Sequence, residues 1–199
     1  MKKIVLLAVF ALGLSSLNAQ VSFKPGLRAG LNFAKITQTE STSKTDFYIA
    51  GFGELKLTKY YTLQPEISYS NQGAKNINLG YYDYNSSSYV IEEKDFSVSY
   101  ISFAVINKFT FNDTFNFHLG PTIDFQSGKN VYTNSDVDLA FMFGLGYNVT
   151  PNLAIEGRVK KGIVDVLDSD YQHSSSATSG SYNTNFLFQL GLSYTFDVK

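Results

Sequence analysis

The chain has 199 residues, no Cys, no Trp and a formal net charge of −1. The lack of cysteine excludes a disulfide framework, a thiolate metal site, a cysteine nucleophile and a lipidated N-terminal Cys, and the near-neutral charge gives no electrostatic footing for nucleic acid. Charged residues make up only 17% and aromatics 16%, against a charged share of about 25% in ordinary soluble domains.

Residues 1–19 read as a secretory signal peptide. Lys2 and Lys3 form its basic start, Ile4 to Leu14 its apolar run, and the expected cut follows Ala19. Leu17 stands where a small residue is usual, which leaves the cleavage point uncertain by a few positions. Losing Lys2 and Lys3 brings the formal charge of the remaining 20–199 domain to −3. No second apolar stretch approaches the roughly 20 residues of a membrane-spanning helix.

Beyond the leader the period is two, the mark of strands whose faces meet different surroundings. Eight strands are predicted, at 25–36, 46–57, 61–73, 96–111, 115–127, 136–149, 153–165 and 184–196. In the first, Leu27, Ala29, Leu31 and Phe33 oppose Arg28, Gly30 and Asn32. The second sets Phe47, Ile49, Leu55 and Leu57 against Tyr48, Ala50, Glu54 and Lys56. In the sixth, Val137, Leu139, Phe141, Phe143, Leu145 and Tyr147 face away from Asp138, Ala140, Gly144 and Gly146. The eighth is the clearest, with Phe186, Phe188, Leu190, Leu192, Tyr194 and Phe196 against Leu187, Gln189, Gly191, Ser193 and Thr195.

The connections alternate strictly. Tight ones at 58–60, 112–114 and 150–152 take turns with long polar ones, including 74–95 and 166–183. All short turns then lie at one end of an up-and-down sheet. With an apolar face more continuous than its small and polar opposite, the pattern predicts an all-β, eight-stranded antiparallel up-and-down transmembrane β-barrel, apolar outside. Aromatics gather in two girdles: Tyr60, Tyr61, Phe109, Phe111, Phe115, Tyr147, Tyr194 and Phe196 toward the short turns, and Phe33, Phe47, Tyr69, Phe96, Phe125 and Phe186 toward the long loops. Pro65 and Pro121 fall inside strands, where a missing N–H calls for a bulge or an unpaired position above the membrane level.

Gly26-Leu27-Arg28-Ala29-Gly30-Leu31-Asn32-Phe33, Leu63-Gln64-Pro65-Glu66-Ile67-Ser68-Tyr69-Ser70, His118-Leu119-Gly120-Pro121 and the terminal Gln189-to-Phe196 stretch resemble the small outer membrane β-barrel proteins of Bacteroidetes, the PorT-like or outer membrane protein beta-barrel family. The resemblance covers nearly all of 21–199 and implies a barrel placed by the outer membrane assembly machinery. Gln189, Gly191, Tyr194 and Phe196 look like the C-terminal signal read by that machinery, with Asp197-Val198-Lys199 trailing beyond it. The resemblance identifies a fold and not a secretion-system role.

The parity of the strands turns Arg28, Lys56, Lys108, Arg158 and Lys160 inward against Glu54, Glu66, Asp124, Asp138 and Glu156. Arg28, Glu54, Glu66, Glu156 and Arg158 are expected at similar heights, and with Asp124 they make the candidate lumen charge network, since charges out of bulk water must pair. His118 is expected inside as a hydrogen-bonded member of it. In the last long loop, His173 stands near Asp168 and Asp170, a stretch lacking the Gly and closing Glu of a calcium loop. No metal, cofactor or catalytic constellation is predicted, and the expected role is non-enzymatic. In 74–95, Tyr81, Tyr82, Tyr84 and Tyr89 cap the barrel rim, extend strands 3 and 4 above the membrane, or form an adaptable contact surface. The leading expectation is an integral protein of the outer membrane lipid with periplasmic termini. Its four outer loops would contact an extracellular or envelope partner, or support the envelope. The alternatives are a soluble lipid-binding barrel, a narrow pore or a secretion-system accessory.

Overall fold

The computed structural model describes residues 22–37, 41–85, 87–127, 133, 135–164, 166 and 183–198. Eight strands fill them: β1 (Ser22–Ile36), β2 (Thr42–Lys56), β3 (Tyr61–Asp83), β4 (Ser88–Thr110), β5 (Phe115–Gln126), β6 (Val137–Asn148), β7 (Leu153–Gly162) and β8 (Asn185–Thr195). Each pairs antiparallel with the next, and β8 closes on β1 from Gly26↔Thr195 to Ile36↔Asn185. Partners followed once around, from Ser22 through Lys56, Thr62, Lys108, His118, Gly144, Arg158 and Gln189, return to β1 at Asn32. The register has climbed from residue 22 to residue 32, a shear of ten. Eight strands so staggered tilt steeply and leave a bore that side chains just fill.

Closure comes from the chemistry of the turns. Thr58 Oγ1 accepts from the N–H groups of Tyr60 and Tyr61, Asn112 Oδ1 from Thr114 and Phe115, and Thr150 Oγ1 from Asn152 and Leu153. One side-chain oxygen at the head of each short turn thus satisfies two N–H groups and folds the chain back tightly. Outward rows are apolar: Leu31, Ile49, Phe143, Leu145 and Leu190 are exposed, while Asn32, Ala50, Met142 and Gln189 between them are buried. Tyr61–Phe109, Phe115–Tyr147 and Tyr194–Phe196 rings touch at the short-turn end, and Phe33–Phe188 and Phe47–Tyr69 at the other. The two predicted girdles are present, with one exception: Phe96 is buried inside the bore.

Two expectations change. First, 74–95 is mostly strand: β3 and β4 run on as a ribbon to Tyr82↔Tyr89 and Asp83↔Ser88. Its Asn, Gly and Ser content reads as a loop, but a ribbon solvated on both faces needs no apolar alternation. A register shift between Ala74 and Ile77 marks its base. There Gly73 has φ +139°, and a Cβ would stand 2.0 Å from the Phe96 carbonyl oxygen; only glycine fits. Second, neither proline makes a bulge. Pro65 pairs with Val105 and Pro121 with Phe141, while on their other sides the β2–β3 and β4–β5 ladders skip two pairs and resume in unchanged register. A residue in an antiparallel sheet bonds to one neighbour only, so each missing N–H interrupts one ladder and leaves the other intact.

Candidate functional site: the charged bore and the β3–β4 ribbon

The core of the bore is a four-charge knot drawn from β1, β3 and β7. Arg28 Nη1 donates to Glu66 Oε2 at 2.6 Å and its Nε lies 3.0 Å from Glu156 Oε2. Arg158 reaches the same pair, 3.1 Å to Glu66 and 2.8 Å to Glu156. Gln64 donates a further bond to Glu66, and Ser193 one to Glu156. All four charged residues are buried. Two guanidiniums against two carboxylates leave no net charge, and their planar forks use most of the donors that burial would otherwise strand. Arg28 also stacks 4.8 Å over the Phe52 ring. His118 stands at the edge, 3.8 Å from Glu156, with its Nδ1 against Asn116.

The expected single network is in fact three groups. Glu54 is not level with the knot: it pairs with Lys108 at 2.7 Å nearer the short turns, where Lys24, Lys56 and Asn152 line an open polar mouth of about 550 Å³. Lys56 is exposed there and not enclosed. Asp124 lies on the other side of the knot, paired with Lys160, while Asp138 accepts from Asn185. The ten-residue climb of the register separates them: residues that look level in a flat sheet differ in height once the strands tilt.

Above these groups the bore turns apolar. Ile36, Ala74, Ile77, Phe96, Val98, Tyr100 and Val166 pack together at the long-loop end. Sequence reasoning missed this stopper, although its signal is present. Lys108 points inward, and counting back by twos along β4 carries Tyr100, Val98 and Phe96 to the same face.

The ribbon carries the candidate contact residues. Tyr82 and Tyr84 meet edge to face at 5.2 Å, Tyr84 is 87% exposed, and Tyr89 stands opposite Tyr82. Tyr81 pairs through its backbone with Val90; its side chain lies outside the described residues, as do residues 1–19, His173, Asp168 and Asp170. In β8, Gln189 donates to Asn32 at 2.7 Å. Gly191 sits where a Cβ would be 2.2 Å from the Tyr48 hydroxyl, so both have work inside the bore. Tyr194 and Phe196 belong to the outer girdle at the short-turn end.

A chain apolar outside, charged inside and closed on itself matches the family profile described as outer membrane protein beta-barrel domain, over residues 4–196. The chain belongs to that family. It is an outer membrane β-barrel. No curated protein sequence matches it. Among solved structures it is similar to the attachment invasion locus protein Ail of Yersinia pestis, crystallised with the heparin analogue sucrose octasulfate, at 14% identity. That match covers 88% of this chain and 99% of that one, with a TM-score of 0.49. Neisserial surface protein A is similar at 15% identity over 88% and 99%, TM-score 0.49, and OprG of Pseudomonas aeruginosa at 10% over 88% and 95%, TM-score 0.41. In an outer membrane barrel the exposed outer wall faces lipid, and the knot, the Asp124–Lys160 pair and the stopper lie in series between the two ends of the bore.

Proposed function

We propose that this outer membrane barrel is a non-enzymatic surface protein whose β3–β4 ribbon makes contact with an extracellular or envelope partner, the barrel serving as its anchor. The observation that carries the reading is the ribbon itself. Past Lys75 on β3 no β2 pairing remains, and before Ser99 on β4 none with β5, so the ribbon rises beyond the two wall strands that flank it lower down. A ribbon standing clear of the wall strands is placed for contact, and its exposed Tyr82, Tyr84 and Tyr89 supply large contact area at small entropic cost. The polar, tightly paired filling of the bore argues against a lipid carrier, whose cavity would be apolar, and against a pore, which would need open water. Periplasmic termini and cleavage of residues 1–19 complete the proposal, as does a place in the PorT-like branch suggested by the motifs around Arg28 and Glu66.

The test is a photocrosslinking residue at position 84 in living cells. The reading predicts one discrete adduct that disappears when Tyr82 and Tyr89 become Ser. No adduct, or one unaffected by those changes, contradicts it.

A further inference from the structure

The outer wall carries a feature that neither the bore nor the ribbon uses. Between the girdles and at their level, the outward rows of the eight strands hold only two charges among the described residues, Lys35 on β1 and Lys161 on β7. They are not scattered. Lys161 pairs with Phe186, and Phe186 pairs with Lys35, so the two lysines stand on either side of Phe186 in a single row at the long-loop end. Their Cα atoms are two strand spacings apart, roughly 10 Å, within reach of one anion for two four-carbon side chains. Lys35 Nζ lies 5.9 Å over the Phe186 ring. A cation on a lipid-facing wall is costly at mid-depth and nearly free at the interface, where Phe186 stands.

Below this pair the wall has a notch. Gly157 lies two outward positions down β7 from Lys161, and a Cβ placed on it would meet nothing within 4 Å. Its partners Leu145 and Leu190 stand out on either side, both exposed. A negative headgroup between the lysines would thus place its chain along the Val159–Gly157 column, with a slot to lie in.

We propose that Lys35, Phe186, Lys161 and the Gly157 notch form a docking site for a phosphate-bearing membrane lipid on the outside of the barrel, at the end opposite the termini. The lysines take the phosphate and the notch takes an acyl chain. The site is independent of the ribbon and of whatever the ribbon contacts.

The experiment is native mass spectrometry of the mature protein in non-ionic detergent, titrated with phosphatidylglycerol and, separately, phosphatidylcholine. The proposal predicts one preferentially retained phosphatidylglycerol, released as ionic strength rises. The double variant Lys35→Gln, Lys161→Gln weakens it about thirtyfold, from roughly a fivefold loss per basic residue near an anionic headgroup. Lys35→Arg with Lys161→Arg retains it, and Gly157→Leu weakens it severalfold with both lysines in place. A mobility shift on boiling verifies that each variant is a closed barrel, and the salt titration of the unaltered protein needs no variant. Equal retention by the double Gln variant, salt-independent binding, or full displacement by millimolar inorganic phosphate would overturn a lipid site.

Discussion

Along β3 and β4 the same two strands occupy two different settings. At Glu66 and Ala104 each strand has a neighbour on both sides, and the inward side chains are locked into the bore. At Tyr82 and Tyr89 the two strands pair with each other beyond the ladders of β2 and β5, and both tyrosines are exposed. In the wall, register, closure and lumen packing dictate every residue. In the ribbon none of these applies, and composition is free to serve contact. The contrast teaches where to cut and where not to.

The largest effect is expected in the knot. Arg158→Met leaves Glu66 and Glu156 sharing Arg28 alone. A buried charge stripped of its partner costs about 3–5 kcal/mol, read as a loss of unfolding free energy in urea with the protein in lipid vesicles. A pair of glycines comes next. Gly191→Ala drives a methyl into the Tyr48 hydroxyl and costs about 1–3 kcal/mol by overpacking, whereas Gly157→Ala, pointing into open space, stays within about 0.5 kcal/mol. Equal losses at the two sites would break the distinction between inner and outer faces.

The ribbon itself supplies the third test. Ile77 pairs with Lys94, so residues 78–93 can be replaced by Asn-Gly, a two-residue turn suited to a hairpin. The barrel is expected to keep its stability within about 0.5 kcal/mol while the crosslinked partner of the ribbon is lost. A collapse of the barrel on this excision would make the ribbon part of the fold. The smallest effect lies at the short-turn end. The Lys24 hydrogen bond, and that of Asn152, hold the exposed Asp197 carboxyl below its ordinary range. That contribution is present at neutral pH and lost as pH falls through the carboxylate range, so Asp197→Asn should lower the melting temperature slightly at neutral pH, and the difference should vanish at acid pH.

Much of the fold was legible because a two-faced strand must alternate. Phe186 to Phe196 and Val137 to Tyr147 show their outward faces in the residue order alone, and Thr58, Asn112 and Thr150 mark the turns. What was not legible depends on three dimensions. The height of Glu54 relative to Arg28 depends on the shear of the closed sheet, which no single strand encodes. The ribbon's polar residues gave no face to read, so strand and loop looked alike there. The preference of aromatics for interfaces points Phe96 to the lipid side, yet the parity running back from Lys108 carries it inward. The Lys35–Phe186–Lys161 row joins three strands distant in sequence and emerges only from their register.

The central claim is the assignment of faces, and the absence of native cysteine makes it directly measurable. Single cysteines placed in turn from Asp138 to Leu145 on β6, in protein inserted into lipid vesicles, can be labelled with a polarity-sensitive thiol dye and quenched from the lipid phase. The account predicts strict alternation, with Leu139, Phe141, Phe143 and Leu145 quenched by lipid and Asp138, Ala140, Met142 and Gly144 not. Quenching of the second set, or no alternation at all, would contradict a barrel that is apolar outside and charged within.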